Sequence, residues 1–517
     1  SKYSAKVGYR TVNYRSNLDI NLTKSTALYF GADGFISTKS EPGNNDTDAL
    51  WATQRNLTPI TIPTIYSTGH LPAYGVDNAY SPYVMLNKTG MTNIRHYQGK
   101  ATLELKQDLS MLLKGLKIRA QGAYDTETNL KEIRSIRPEM YYAQTRKYTG
   151  ELGIIKRVES EPAKYTHEDE QFYKVHFETT ATYETTVAKE HRLSALLYYY
   201  MSSEQRMNKD IDAKAETLRS MYAIPIRYQG LSGRITYGFR DTYFMDVNFG
   251  YTGSENFQSG HRFGFFPSVA VGWIPTQYKF MQRGLPWLNF LKIRASYGTV
   301  GNDRLTDERF PYLTLMVDGD GGGWGSSSGY ITEERVGANN LRWEKAKKAD
   351  LGIEGRLFNE KVQFVVDFFQ DKRDGIYQRR SQIPSYVGLT QMPFGNVGKM
   401  KSYGSDGNIS FTQDFGKDMT LTLRGNFTYS ANKVENWEQA FQPYDYQNYT
   451  GYVNNAFRGY IALGLFRDEQ DVAQSPKQTF GEYMVGDIKY KDVNGDGVID
   501  EDDKVPLSYP NYPRLMY

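Results

Sequence analysis

Asp418-Met-Thr-Leu-Thr-Leu-Arg-Gly-Asn-Phe-Thr-Tyr-Ser-Ala431 is the stretch that decides the fold of this chain. Successive side chains of an extended strand point to opposite faces, so residues of the same parity share a face. The odd-numbered positions are mostly apolar: Met419, Leu421, Leu423, Phe427 and Tyr429. The even-numbered positions are polar or charged: Thr420, Thr422, Arg424, Asn426, Thr428 and Ser430. The pattern predicts a strand with one apolar and one polar face.

The same alternation recurs along the whole chain, in about fourteen segments. Many exceed the mean strand length of globular proteins, roughly 5–6 residues. Their polar faces carry Arg, Lys, Asp and Asn, as a water-filled lumen would, which argues against a soluble propeller. The predicted strands lie near 5–22, 26–38, 92–110, 114–127, 170–186, 190–205, 224–238, 241–253, 263–274, 289–299, 341–357, 361–373, 401–414 and 418–431.

Composition agrees with strands rather than helices. The 517 residues include 42 Tyr, 26 Phe and 47 Gly, and the mean hydropathy is −0.62. No run of about 18 apolar residues is present, so helical membrane spans are not predicted. The absence of Cys excludes a disulfide scaffold, a thiolate metal site and a Cys nucleophile, and only 6 His argue against a multi-His metal site. The net charge of +3 implies no strong attraction to nucleic acid.

Short and long connections alternate between the predicted strands. Transmembrane barrels have tight periplasmic turns and long extracellular loops, so this asymmetry favours an all-β, antiparallel transmembrane barrel. We expect residues 1–431 to form its strands and loops. Residues 432–512 are then expected to form one long extracellular excursion, and residues 513–517 to begin the next barrel strand.

Four blocks of sequence carry a family resemblance. They are Arg262-Phe-Gly-Phe-Phe-Pro-Ser-Val-Ala-Val-Gly-Trp273, Phe290-Leu-Lys-Ile-Arg-Ala-Ser-Tyr-Gly-Thr-Val-Gly-Asn302, Asn340-Leu-Arg-Trp-Glu-Lys345 and Gly486-Asp-Ile-Lys-Tyr-Lys-Asp-Val-Asn-Gly-Asp-Gly-Val-Ile-Asp500. In this order and spacing they resemble the SusC/RagA-like TonB-dependent transporters of Bacteroidetes outer membranes. The resemblance covers essentially the whole chain.

The resemblance implies a barrel of about 22 strands, with an N-terminal plug domain and Ton box that are not in this chain. It implies active import of oligosaccharides or oligopeptides, with energy from the TonB complex. A SusD-like surface lipoprotein is the implied partner on the extracellular face, and outer-membrane lipid surrounds the wall.

The acidic stretch Asp492–Asp503 matches the pattern of a calcium loop. Such loops place oxygen ligands at positions 1, 3 and 5, Gly at position 6, a backbone carbonyl at position 7 and a carboxylate at position 12. The predicted Ca²⁺ ligands are Asp492, Asn494, Asp496, the Val498 carbonyl and Asp503, with Asp500 acting directly or through water. Pro506 and Pro510 exclude flanking helices. The alternative is an acidic turn without metal.

Other motifs give weaker signals. The glycine-rich stretch Gly319–Gly329 lacks the Gly-Lys-Ser/Thr ending of a phosphate loop, although Trp324 within it is a candidate for stacking on a sugar ring. Loop 39–91 is rich in aromatic residues, with Trp51, Tyr66 and Tyr74 as candidate substrate contacts. These residues line a substrate chamber in one interpretation and only pack against neighbouring segments in the other. The acidic runs Glu159–Glu161 and His167–Glu170 are predicted to be solvated surface.

The sequence therefore predicts a transporter, and an enzyme is not expected because no nucleophile and base converge. Three alternatives stay open: a passive porin, an adhesin-type barrel, and a TonB-dependent receptor for siderophores or cobalamin. A plug and Ton box in the full-length protein would exclude the first two.

Overall fold

The computed structural model describes residues 7–44, 46–57, 61–73, 80–145, 148–207, 221, 223–304, 309–319, 330–389, 391–510 and 513–517. Within these residues, fourteen long strands and one short strand belong to a single large antiparallel sheet whose strands follow chain order. No helix in the described part of the chain is both long enough and apolar enough to cross a membrane.

The long strands coincide with the fourteen predicted segments, which confirms the predicted fold class. Their bounds are β1 Gly8–Asn21, β2 Thr26–Pro42, β3 Gly90–Asp108, β4 Leu116–Arg137, β7 Glu161–Val187, β8 His191–Met207, β9 Ile226–Phe239, β10 Tyr243–Ser254, β11 Phe263–Trp273, β12 Leu288–Asn302, β15 Glu344–Leu357, β16 Val362–Arg379, β17 Phe394–Phe415 and β18 Met419–Asn436.

Shorter elements lie in the long connections. They are helices α1 Thr47–Asn56, α2 Pro82–Asn87, α3 Lys279–Gly284 and α4 Glu469–Gln474, and strands β5 Met140–Thr145, β6 Leu152–Val158, β13 Leu315–Gly319, β14 Tyr330–Arg335, β19 Ala456–Gly459, β20 Ala462–Leu465, β21 Lys477–Gln478, β22 Ile488–Tyr490, β23 Val498–Ile499, β24 Val505–Pro510 and β25 Leu515–Met516.

The chain divides into two compact units. The first comprises residues 1–107, 119–178 and 201–227. In it, β2 pairs with β1 on one side and with β3 on the other. Its buried apolar cluster lies outside these strands, where Val84 of α2 packs with Ala73, Met140 and Val158. The hairpin β5–β6 therefore packs against the α2 segment.

The second unit comprises residues 108–118, 179–200 and 228–517. Strands β9 to β12 and β15 to β18 pair antiparallel in chain order. Tight connections close one end of these strands, as at Phe358–Lys361 between β15 and β16. Few of its large apolar side chains are buried, and Tyr243, Met245, Val247 and Tyr251 of β10 are 40–47% exposed. An isolated soluble sheet would not leave an apolar face open in this way.

Strands extend into two predicted loops, the connections 128–169 and 374–400 between predicted strands, which corrects the sequence-based boundaries. Residues 128–169 contain the end of β4, the hairpin β5–β6 and the start of β7, and β16 and β17 extend into the predicted loop 374–400. The backbone ladder continues past the point where apolar alternation stops. Periodicity marks only the part of a strand whose two faces meet different surroundings.

Residues 437–510 form short paired segments between β18 and β25. β19 pairs with β24, β20 with β22, and β21 runs parallel to β23. The expected extracellular excursion therefore contains its own short strands, such as β19 and β20. After it, β25 pairs with β18 through Leu515 opposite Tyr429.

Candidate functional site

The apolar face of the second unit ends in an aromatic girdle at the tight-turn end of the strands. Trp287 stacks on Phe358 at 5.9 Å between ring centroids, and Tyr278 stacks on Phe280 at 5.5 Å. The hydroxyls of Tyr243 and Tyr278 are hydrogen-bonded. Amphipathic rings of this kind collect at membrane–water interfaces, so the girdle marks one edge of a membrane-spanning band.

The opposite face of the same strands carries an ion network around Arg294 of β12. Its Nε donates to Oε1 of Glu354 at 2.9 Å, and its Nη2 lies 2.8 Å from the Asp367 carboxylate. A third carboxylate, that of Asp350, lies 3.3 Å from Nη1. Lys292 also approaches Glu354, at 3.4 Å. The five residues come from three neighbouring strands, so they share one face only through the sheet register.

The first unit has a smaller network of the same type. Arg119 of β4 donates to Glu104 at 3.2 Å and to Glu178 at 2.7 Å. Both carboxylates are largely buried, at 8% and 14% side-chain exposure. A guanidinium is suited to this position because its planar fork serves two carboxylates at once.

A polar cavity of about 850 Å³ lies at the tight-turn end of the second unit. Its lining includes Lys114, Lys117, Glu184 and Arg192. Arg192 is also ion-paired with Asp241 in the next tight turn. A cavity with charges of both signs suits a polar ligand or a passing polar chain better than an apolar one.

The predicted calcium loop is closed by hydrogen bonds from its own backbone. Asp492 accepts from the N–H groups of Gly495 at 2.6 Å and Gly497 at 2.8 Å. Asp503 is fully buried and accepts from Val493 and Asp500. Gly495 and Gly497 have φ values of +79° and +85°, a conformation that costs little only for glycine.

The donor set of the loop fits a hard cation, because every ligand atom would be an oxygen. The conformation of the loop matches that of a calcium-binding loop only in part. No group of three or more His, Cys, Asp or Glu side chains in the described ranges is close enough together to hold a metal ion. Asn494 and Asp496 are hydrogen-bonded to each other, with Nδ2 3.0 Å from Oδ2. The side chains that would hold calcium are thus bonded to each other and to backbone N–H groups of the loop.

The loop is fastened to a 3-10 helix at Asp445–Gln447. The Tyr446 hydroxyl donates to the Asp502 carbonyl at 2.7 Å, and Gln447 Nε2 donates to the Asp502 carboxylate at 2.9 Å. Burial, followed by the nearby Asp503 carboxylate, raises the pKa of Tyr446 to about 12. The hydroxyl therefore remains a proton donor across the physiological pH range.

Two of the four candidate substrate contacts, Trp51 and Tyr66, lie within the described residues. Trp51 is 64% exposed on α1. Tyr66 is half-buried, and its hydroxyl accepts from the Ala143 N–H at 3.2 Å, a packing role. Tyr74 and Trp324 lie outside the described residues, as do all but the first residue of 319–329. The acidic runs form surface ion pairs such as Glu161 with Arg137 and Glu168 with Lys131.

Sequence patterns missed a carboxylate clamp between Glu438 and the β16–β17 connection. Glu438 accepts from Arg380 Nε at 2.7 Å and from the backbone N–H groups of Ser381 and Gln382. Burial raises the pKa of this carboxyl, but the hydrogen bonds, led by that of Arg380, outweigh burial and lower the pKa overall. No sequence signal joins positions 380 and 438, since only the fold brings them together.

Comparison with known proteins agrees with this architecture. The profile of the family described as TonB dependent receptor-like, beta-barrel matches residues 8–505. The chain belongs to this family. Its wall is therefore that of an outer-membrane TonB-dependent receptor, in which the apolar face meets lipid and the face with Arg294 meets the lumen.

Relatives with assigned names include SusC. The chain is 25% identical to TonB-dependent receptor P26 of Formosa agariphila over 377 residues, covering 66% of this chain and 36% of that protein. It is also 25% identical to TonB-dependent receptor SusC of Bacteroides thetaiotaomicron over 296 residues, covering 55% of this chain and 28% of SusC. The matched region is thus about a third of the length of these TonB-dependent receptors.

The fold is similar to that of a solved importer. The structure of the RagAB peptide importer in its closed-closed state aligns with a TM-score of 0.68 and 18% identity, over 99% of this chain and 56% of the matched chain. The open-open state of RagAB aligns with a TM-score of 0.67. At this identity the likeness establishes the shared receptor fold.

The first three of the four sequence blocks of this TonB-dependent receptor meet in space. Trp343 of the third block donates from Nε1 to the Arg262 carbonyl of the first block at 2.9 Å. Phe266 of the first block packs edge-on against the Trp343 ring, at 5.3 Å between centroids. Asn302, which ends the second block, donates to Glu344 at 3.4 Å. These three blocks therefore form one junction, where β12 ends and β15 begins.

Proposed function

We propose that this chain forms the wall of a TonB-dependent transporter that imports oligomeric nutrients, either oligosaccharides or oligopeptides. The observation that carries the proposal is the charged lumen face around Arg294, on a wall of the same fold as the RagAB peptide importer. A lumen lined with hydrogen-bonding and charged groups solvates a polar chain during passage. The likeness to RagAB, a peptide importer, supports import of an oligomeric nutrient.

Two partners belong to the same proposal. A SusD-like lipoprotein caps the long-loop side and retains substrate there. The TonB complex acts on a plug and Ton box in the full-length protein, and the inner-membrane proton gradient supplies the energy. Both partners are inferred from the family and from SusC and RagAB as relatives.

Uptake by a deletion strain tests the transporter. The strain is complemented with the full-length gene or with a gene lacking the Ton box, and growth is followed on defined oligosaccharides and on defined oligopeptides. We expect growth on one of these classes with the full-length gene and none without the Ton box. Heat-modifiable migration of the barrel on gels is the control for membrane insertion.

The alternatives give different outcomes. A passive porin or adhesin-type barrel supports equal growth with and without the Ton box. A siderophore or cobalamin receptor restores growth only when iron or cobalamin is limiting, whatever the carbon source. Either result contradicts TonB-dependent import of oligomeric nutrients.

We also propose that the loop Asp492–Asp503 binds Ca²⁺ and that the ion stiffens this segment. Asp492, Asn494, Asp496, the Val498 carbonyl and Asp503 would hold the ion, with Asp500 acting directly or through water. The support is the all-oxygen donor set and the two glycines at positive φ. Occupancy requires the Asp492 and Asp496 carboxylates to turn toward a common centre, so binding should be accompanied by a measurable ordering of the loop.

A further inference from the structure

A groove of about 330 Å³ lies on the apolar face of the second unit. Twelve of the described residues line it, from β4, β7, β8, β9 and β10. Ten of the twelve are apolar residues or glycine, and the other two are Thr182 and Arg234. Leu197, Ile235 and Val247 are 49%, 55% and 40% exposed, so apolar surface remains uncovered around the groove.

The shape of the groove follows from side-chain size. Ala181, Ala195 and Gly233 supply little volume among the larger residues of the lining. Gly233 lies opposite Phe249 in the β9–β10 register, and the ring covers it. A Cβ built on Gly233 would come within 2.3 Å of the Phe249 ring, so a larger residue there would displace the ring.

The groove lies in the part of the wall nearest the tight turns. Ile235 is close to the last residue of β9, Phe239, and Val247 is close to the first residue of β10, Tyr243. Each lies four residues from the tight turn, which on a tilted strand is a height of about 10 Å. The apolar band of such a barrel is about 25 Å tall. The rings of Phe239 and Tyr243 stack at the interface edge. Because tight turns of outer-membrane barrels face the periplasm, the groove lies within the periplasmic leaflet.

We propose that this groove binds one acyl chain of a phospholipid in the periplasmic leaflet. The groove is continuous with the lipid-facing wall, so lipid is the molecule that meets it in the membrane. A second copy of the protein is a poorer fit, because a stable protein interface uses about 20–30 residues on each side. An acyl chain bound in the groove contacts apolar surface that a straight neighbouring lipid chain would pass over without touching.

Native mass spectrometry of the full-length protein in mild detergent tests this site. Delipidated protein is titrated with palmitoyl-oleoyl phosphatidylethanolamine, and in a separate arm with rough lipopolysaccharide. Ala195→Trp fills the groove. Ala295→Trp makes the same change on the lipid-facing side of β12, outside the groove lining, and is the matched control.

We expect one tightly retained phosphatidylethanolamine on the wild type and on Ala295→Trp. Retention should fall about tenfold in Ala195→Trp, the factor expected when roughly two methylene contacts are lost. Ala195→Leu gives a smaller loss in the same direction and replaces the Trp variant if that variant does not insert. Equal retention in all variants overturns the proposal. Retention of lipopolysaccharide alone overturns the leaflet assignment, and loss of a dimer with unchanged lipid shows an interface between copies instead.

Discussion

The Asp503 carboxylate accepts a hydrogen bond from the Val493 backbone N–H, with Oδ1 2.6 Å from the nitrogen. Its other oxygen accepts from the Asp500 N–H at 3.0 Å. The twelfth residue of the acidic loop is thus bonded to the second and the ninth, and its side chain is fully buried. This carboxylate therefore ties the end of the loop back to its beginning.

Removing that carboxylate should open the loop. Asp503→Ala leaves two backbone N–H groups without an acceptor, at about 1–3 kcal/mol each. We expect faster hydrogen–deuterium exchange throughout residues 492–503, with or without chelator. Asp503→Asn keeps one acceptor oxygen and should have about half the effect. Unchanged exchange in Asp503→Ala would show that these two hydrogen bonds do not hold the loop.

Calcium binding should make hydrogen–deuterium exchange of the loop slower in calcium than in chelator. Asp492→Asn and Asp496→Asn each remove the charge and one of two acceptor oxygens, so in chelator each should cost about one hydrogen bond, roughly 1 kcal/mol. In 1,000-fold excess of calcium over its Kd, the wild-type segment should gain about 4 kcal/mol of protection that the variants lack. Local exchange of residues 492–503 measures this. Glu501→Gln, at a position that is not a predicted ligand, is the charge-matched control and should keep the calcium effect. A wild-type loop indifferent to calcium would favour the metal-free acidic turn.

The Glu438 clamp should weaken in acid. Because the folded-state pKa is below the ordinary value of 4.5, the clamp's stabilisation is complete above that value and is lost as pH falls through the lowered pKa. Protection of the Ser381 and Gln382 amides should therefore persist at pH 5–7 and decline below about pH 4.

Glu438→Gln provides the matched variant for this clamp. It keeps an acceptor but removes the charge that binds Arg380, so we expect about 1–3 kcal/mol less protection at neutral pH and a flat pH profile. A pH profile of Glu438→Gln that follows the wild type would assign the acid effect to another group.

The Arg294 network should be sensitive to loss of its centre. Arg294→Ala leaves the Asp350, Glu354 and Asp367 carboxylates without their common cation, and mutual repulsion should lower barrel stability by about 1–3 kcal/mol. The side chain is about one-third exposed, so solvent screening keeps this below the value for a fully buried pair. The midpoint of urea unfolding, followed by heat-modifiable migration, measures the effect.

Two further variants separate charge from geometry. Lys292→Ala removes a single contact to Glu354 and should cost less than 1 kcal/mol. Arg294→Lys keeps the charge but cannot serve three carboxylates with one ammonium, so an intermediate loss is expected. Equal midpoints for Arg294→Ala and Lys292→Ala would show that the network contributes nothing specific.

The sequence by itself determined the faces of the wall and the approximate position of every long strand. Met419, Leu421 and Leu423 alternate with Thr420, Thr422 and Arg424, and a period of two leaves no choice of fold class once it recurs along the chain. Motif spacing likewise identified the acidic loop, because ligand positions and glycines are local features.

Only the tertiary structure decided which residues meet. Arg294 and Asp367 are neighbours because two strand registers align them, and Arg380 reaches Glu438 because β17 and β18 bring distant connections together. The strand extensions in 128–169 were also invisible to pattern analysis, because their apolar residues do not alternate regularly with polar ones. Register and loop packing are long-range properties, and no local period encodes them.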